Sequence, residues 1–199
     1  MALKPGTRMT SRGEQTRDLI MQAARKLFTR RGYHYTSIYD LFDQAETTKG
    51  AFFHHWKTKE DLALSILERM EAFFDTNFFH VVEEPGRARD KIETVINLIS
   101  SMSNGDGGYG RLFATWCMEL AENEDQLGPA VHRLKTRWCG LWRELIQRAQ
   151  AEKDMRADIS AENLSFLVVS AIFGVQLMKR EEDPETESVY EALRRTILT

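Results

Sequence analysis

Thr48, Lys49, Gly50, Ala51, Phe53 and His54 fall within seven consecutive positions, and no acid stands among them. Their chemistry suits contact with a nucleic-acid duplex better than bond making. A lysine ammonium pairs with phosphate, a methyl can meet a thymine methyl, and an imidazole reaches a base edge or a backbone oxygen. Gly50 lets a phosphate come close to the main chain. His54 and His55 are adjacent, about 100° apart on a helix, and so cannot chelate a metal as an i, i+4 pair would. The chain has no Gly-rich phosphate loop, zinc signature or nucleophile motif, which argues against an enzyme. Cys117 and Cys139 form no zinc pattern and suggest no disulfide framework.

Two short helices and a turn must hold these residues. Ser37 can cap the first with Asp40 three residues on, after which Ile38, Leu41, Phe42 and Ala45 share one face. Glu46 and Thr47 break the period, Thr47 or Thr48 caps a second helix, and Phe52 and Trp56 point inward. Paired short helices joined by about three residues place the second in a major groove. Upstream, Leu19, Ile20, Ala23, Ala24, Leu27 and Phe28 predict a helix over 13–31 that Gly32 ends and that packs across the pair. The competing account of the same pattern is a helical hairpin in an ordinary bundle.

The run Lys49-Gly50-Ala51-Phe52-Phe53-His54-His55-Trp56, followed by Lys57-Thr58-Lys59-Glu60-Asp61-Leu62, resembles the recognition helix and next helix of TetR-family transcriptional regulators. Ala23-Ala24-Arg25-Lys26-Leu27-Phe28, Gly32-Tyr33 and Thr36-Ser37-Ile38 are similar to that family as well, so the likeness covers residues 13–62. It implies a homodimer with an N-terminal three-helix DNA-binding unit and a helical C-terminal domain that binds an effector and dimerises. By the family's motif Lys49 contacts phosphate while Thr48, Ala51, Phe53 and His54 face the groove. Thr36, Ser37, Gly50, Lys57 and Lys59 complete the expected DNA-contacting set. This chain departs from the pattern at the turn, where Ala45-Glu46-Thr47 stands for the usual Ala-Gly-Val, and at Ala51 and Phe53, which replace a threonine and a tyrosine.

Charge follows the same division. Residues 1–57 hold ten Lys or Arg against five Asp or Glu, whereas the remainder holds seventeen against twenty-five, although the whole chain carries only −3. A basic N-terminal unit offers phosphates a footprint, and an acidic remainder limits indiscriminate coating of DNA. Residues 1–12 are polar and basic without periodicity and are expected to be a flexible tail; 13–57 form the DNA-binding domain and 58–199 the effector-binding and dimerisation domain. No apolar signal core opens the chain and no stretch approaches the roughly 20 apolar residues of a membrane span, so a cytoplasmic protein is expected.

The fold class is all-α. Thr58 starts a helix with Leu62, Ile66, Met70, Phe73 and Phe74 along one stripe, running to Phe79. Further helices are predicted over 87–102 and 111–123, and after a break at Gly128-Pro129 a long one extends to about Lys153. Between the first two, 104–110 holds four glycines and reads as a loop without the carboxylates of a calcium site. Phe74, Phe78, Met102, Phe113, Trp116, Cys117, Trp138 and Trp142 are candidates to line an effector pocket, with plain core as the alternative at each. Leu164 to Met178 is the most apolar stretch. With the amphipathic helix after Asp183-Pro184 it supplies the expected dimer face: Leu164, Leu167, Ser170, Ala171, Gly174, Val189 and Leu193. The expected function is a sequence-specific DNA-binding regulator, a repressor released by a small-molecule effector, with double-stranded operator DNA, the effector and a second copy as partners and no cofactor or metal. The alternative is a helical ligand-binding dimer, or a redox-responsive regulator using Cys117 and Cys139, with weakened operator recognition.

Overall fold

The computed structural model describes residues 12–102, 109–122, 125–178 and 186–198. Residues 1–11 of the expected tail (1–12), most of the glycine-rich loop, the Asp183-Pro184 break and the Met102 side chain lie outside them, while Arg12 opens the first helix rather than closing the tail. The described residues form helices and turns with no strand. They divide into two compact units, the first closing at Ile66 and the second starting at Leu67.

The first unit is built on α1 (Arg12–Arg31), α2 (Ile38–Gln44), α3 (Lys49–His55) and the start of α4 (Lys59–Phe74). α1 packs against α2 and α3. Its buried stripe is Ile20, Met21, Ala23, Ala24, Leu27 and Phe28. Leu19, expected inward, is 57% exposed, and Met21 takes the place beside Ile20. Gly32 ends the helix at φ +88°, the left-handed conformation that lets its N–H reach Phe28 O.

The unit reaches nine residues beyond 57 because α4 is tied into it. Trp56 Nε1 donates to Ser65 Oγ at 2.9 Å, and Lys59 Nζ donates to Tyr33 O at 2.8 Å and Thr36 O at 2.9 Å. Thr58 Oγ1 accepts from Asp61 N, and Asp61 Oδ2 accepts from the Thr58 and Lys57 amides, a capping box that fixes where α4 begins.

α4 is α-helical only to Phe74. A π-helical turn, Asp75–Phe79, follows and passes directly into α5 (His80–Glu83). Lys91, only 5% exposed, holds the end of this run by donating from Nζ to Val82 O and Glu84 O, while Arg148 donates to Val82 O at 3.0 Å. Cations on terminal carbonyls satisfy acceptors that no further helical turn can reach.

The rest of the second unit is α6 (Ala88–Met102), α7 (Gly110–Glu119), α8 (Leu127–Ala151), α9 (Ala161–Met178) and α10 (Thr186–Ile197). α8 is central, packed against α6, α7 and α9, and α10 lies against α6 and α9. Ile92, Val95, Ile96 and Ile99 are buried as their spacing requires. Gly128-Pro129 does not break the chain. Both lie in the first turn of α8, where a missing proline N–H costs nothing and Asp125 Oδ1 accepts from the Leu127 and Gly128 amides. α8 stops at Ala151 because Lys153 adopts φ +61°, so that its N–H meets Gln150 O and that of Asp154 meets Ala149 O. α7 ends at Glu119, four residues before the expected position.

Candidate functional site

Within the first unit the turn between α2 and α3 sets the geometry. Ser37 Oγ accepts from Asp40 N at 3.2 Å and donates to Asp40 Oδ2, which also accepts from Ser37 N at 2.8 Å. These bonds from Ser37, with Arg31 nearby, hold the Asp40 carboxyl below its ordinary value. At the other end of α2 the Thr47 amide donates to Phe42 O and the Glu46 amide to Asp43 O. That pairing requires the residue between to be left-handed, and Glu46 has φ +48°. A position that favours glycine is thus filled by a side chain with a Cβ and a negative charge.

Thr48, one of two caps the spacing allowed for α3, is the one used: its Oγ1 accepts from Ala51 N at 3.2 Å. Phe52 and Trp56 are buried at 0% and 4% exposure, and this inward pair fixes the opposite side of the helix outward. Thr48, Lys49, Gly50, Phe53 and His54 are exposed and Ala51 is half-buried. Phe53 is held rather than loose. Its ring lies 5.3 Å from Phe52 and 6.5 Å from Phe42, with Lys49 Nζ 5.8 Å above it. A Cβ on Gly50 would meet nothing nearer than Thr48 Oγ1 at 3.9 Å, so the protein's own packing gives no reason for a glycine there. His55 packs against His54 and Trp56; burial first, then the charges of His54 and Arg17, lower the pKa of its imidazole.

Three members of the expected DNA-contacting set have other employment. Thr36 is fully buried and its hydroxyl donates to Gly32 O at 2.7 Å, so its side chain does not reach the surface. The Lys59 ammonium is bound to two carbonyls and lies 4.2 Å from the Tyr33 ring centre. The Ser37 hydroxyl is taken up by the α2 cap. Lys57 is exposed. Tyr39, outside the expected DNA-contacting set, is 68% exposed and 5.9 Å from Phe42, itself in contact with Phe53. Its signal was available: it is an aromatic hydroxyl off the buried stripe of α2.

In the second unit Phe74, Phe78, Phe113, Trp138 and Trp142 come together in one buried cluster. Phe74 is 5.2 Å from Phe113 and 5.4 Å from Trp138, Phe78 is 5.2 Å from Trp138, and Trp138 is 6.0 Å from Trp142. Phe79 and Phe173 extend it. Trp116 and Cys117 line a separate, shallow and open cleft with Leu120, His132 and Lys135. Burial pushes the Cys117 thiol up to about 12 and raises Cys139 as well; Lys135 opposes both shifts without cancelling them. Such thiols are protonated and unreactive at neutral pH, which counts against the redox alternative. No group of three or more His, Cys, Asp and Glu suited to a metal occurs among the described residues.

The expected dimer face divides. Leu164 is 3% exposed and belongs to the protomer's own core, one helical turn from Val168 on the face that meets α8. Leu167 (56%), Ser170 and Val189 are exposed, Ala171, Gly174 and Leu193 are half-buried, and Phe166, not anticipated, is 73% exposed. A Cβ at Gly174 would meet nothing within 4 Å. α9 also satisfies the length and composition of a membrane span, contrary to the reading of the sequence, yet its other face is packed inside the unit.

Comparison with known proteins agrees with this geometry. Residues 20–66, which end where the first unit ends, match the family model described as bacterial regulatory proteins, tetR family. The HTH-type transcriptional repressor DhaR of Mycobacterium sp. (strain GP1) is 22% identical over 170 residues, covering 85% of each chain. A TetR transcriptional regulator from Chloroflexus aurantiacus J-10-FL superposes with a TM-score of 0.74 at 22% identity, over 94% of this chain and 98% of that one. AibR, solved with isovaleryl coenzyme A and operator DNA, gives 0.78 at 14% identity over 92% and 98%. With a helix-turn-helix unit that matches the tetR family model and a helical domain after it, the chain is similar to TetR-family transcriptional regulators in its N-terminal sequence and shares their fold throughout.

Proposed function

We propose that this protein is a repressor that binds a specific DNA operator as a homodimer and leaves it when a small molecule occupies the second unit. The observation that carries the reading is α3. Phe52 and Trp56 anchor it, and an acid-free face bearing Lys49, Gly50, Phe53 and His54 is left to solvent. Lys49 and Lys57 supply phosphate contacts, Tyr39 adds a hydroxyl to the same side, and Ala51, Phe53 and His54 read base edges. Phe53 and Ala51 offer apolar contacts, so thymine methyls are favoured partners.

A second copy supplies the other recognition helix. Leu167, Ser170, Ala171, Gly174, Val189 and Leu193, joined by Phe166, form a face where α9 and α10 of two protomers pack as four helices, with Gly174 allowing close approach. Two recognition helices then meet half-sites about 34 Å apart or a multiple of that turn. An effector coupled by about 1–3 kcal/mol lowers operator affinity roughly 5- to 150-fold. AibR's complex with isovaleryl coenzyme A and operator DNA shows this fold carrying both partners. Such a regulator acts in the cytoplasm, where bacterial operators are.

The test is binding-site selection from random duplexes, followed by salt titration of wild type and Lys49→Ala. A palindromic site and a salt slope reduced by about one in the variant support the reading. An unselected pool refutes operator recognition.

A further inference from the structure

We infer that the aromatic core of the second unit takes a neutral, apolar ligand bearing one hydrogen-bond-accepting oxygen, of the ketone or ester class, and that the Trp138 and Trp142 indole N–H groups are its donors. The inference rests on the reading that this unit binds an effector. Trp138 is 3% exposed and Trp142 fully buried, and neither Nε1 has an acceptor among the described residues. Native interiors seldom leave such donors unsatisfied. Elsewhere this chain pairs a buried indole, Trp56 Nε1 with Ser65 Oγ.

The two indoles are four residues apart on α8 and therefore share one face of it, their rings 6.0 Å apart. What surrounds them decides the ligand class. Phe74, Phe78 and Phe79 lie against Trp138, with Phe113 and Phe173 behind Phe74. Arg137, which lies 4.3 Å from the Phe79 ring centre, is paired with Asp75 at 2.5 Å on the half-exposed surface. A carboxylate or ammonium brought among these rings would be stripped of water against aromatic faces, with Arg137 already paired, so the ligand is neutral. An acceptor oxygen is required because the two unsatisfied groups are both donors.

The π-turn is the means of entry. Asp75–Phe79 carries Phe78 and Phe79 onto Trp138, and the rings touch edge to face, so a ligand enters by displacing them. A π-turn is a local widening that can revert to α-helical winding and so shift those two rings without unfolding the helix.

The probes are 2-acetylnaphthalene, its acceptor-free analogue 2-ethylnaphthalene, and the charged 2-naphthoate, each titrated into the full chain. Melting temperature and the indole ¹⁵N–¹H resonances are followed. We expect the ketone to bind about ten-fold tighter than the hydrocarbon, as one good hydrogen bond gives. The Trp138 or Trp142 indole N–H resonance should move further downfield with the ketone than with the hydrocarbon, as a new hydrogen bond requires. In the Trp138→Phe/Trp142→Phe double variant, or in each single variant if the double one does not fold, the ketone's advantage should shrink while hydrocarbon binding persists. Equal binding of the two, an advantage surviving both substitutions, preference for naphthoate, or no binding at all would overturn the inference. Operator binding without probe is measured alongside. A chain that selects an operator but shows no ketone preference loses this inference alone, whereas one that selects no operator loses the functional reading whatever the probes do.

Discussion

Glu46→Gly should make the protein more stable and its DNA binding tighter, and the two gains have separable causes. Glu46 holds φ +48° because the Thr47 and Glu46 amides bond back to Phe42 and Asp43. For an L-residue that conformation costs roughly 1–2 kcal/mol, from the closeness of Cβ to the following carbonyl. Glycine removes the cost but brings a more flexible unfolded chain, worth about 0.5–1 kcal/mol in the other direction. The net gain is about 0.5–1 kcal/mol, which in a chain of this size raises the melting temperature by roughly 1–4 °C. Glu46→Ala isolates the backbone: it removes the charge and keeps the Cβ. Thermal unfolding should therefore rank glycine above alanine, with alanine close to wild type. Operator affinity at low salt should rise in both variants, since an exposed acid has gone from a unit that must approach phosphates. Alanine matching glycine in stability would refute the strain argument; affinity rising with glycine alone would refute the electrostatic one.

Lys59→Met breaks two charge-assisted bonds to Tyr33 O and Thr36 O, and about 1–3 kcal/mol of stability should be lost by chemical denaturation. The salt slope of DNA binding should stay unchanged in a folded variant; a slope lowered by about one would make Lys59 a phosphate contact after all. Gly50→Ala should stabilise the fold by up to about 1 kcal/mol, as no neighbour is crowded, while weakening DNA binding. Undiminished binding would remove the close phosphate approach. Asp40 has a lowered pKa when folded, so its contribution is complete above the unfolded value near 3.8 and is lost as pH falls through the lower folded value. Ser37→Ala should flatten that acid-side loss in thermal melts below about pH 4, and an unaltered pH profile would clear the cap of any part in it.

The helix-turn-helix was legible because its information is local. Ser37 with Asp40, Gly32, and the four-residue spacing of Phe52 and Trp56 each act within one turn of chain, and the structure places them as that spacing requires. Thr36 and Lys59 escaped because their partners are distant or internal carbonyls: a lysine at a helix start looks the same whether it faces a phosphate or reaches Tyr33 O, 26 residues away. Leu19 and Met21 were confused because both are apolar and neighbours on the wheel, and only packing against α2 and α3 decides between them. Proline at 129 reads as a stop but sits in a first turn, a distinction that depends on where Asp125 turns its carboxylate. The π-turn left no sequence signature, because one widened turn hardly disturbs an apolar stripe.

The central claim is that a face of α3, presented twice by a dimer, reads a DNA site. Binding-site selection with the full chain, followed by hydroxyl-radical footprinting on the selected duplex, tests it most directly. The account predicts a pseudo-palindrome with protection repeated at a separation of about 34 Å or a multiple of it, lost in Lys49→Ala at moderate salt. A single protected half-site bound by one chain, or protection that persists when the exposed residues of α3 are replaced together, would contradict it.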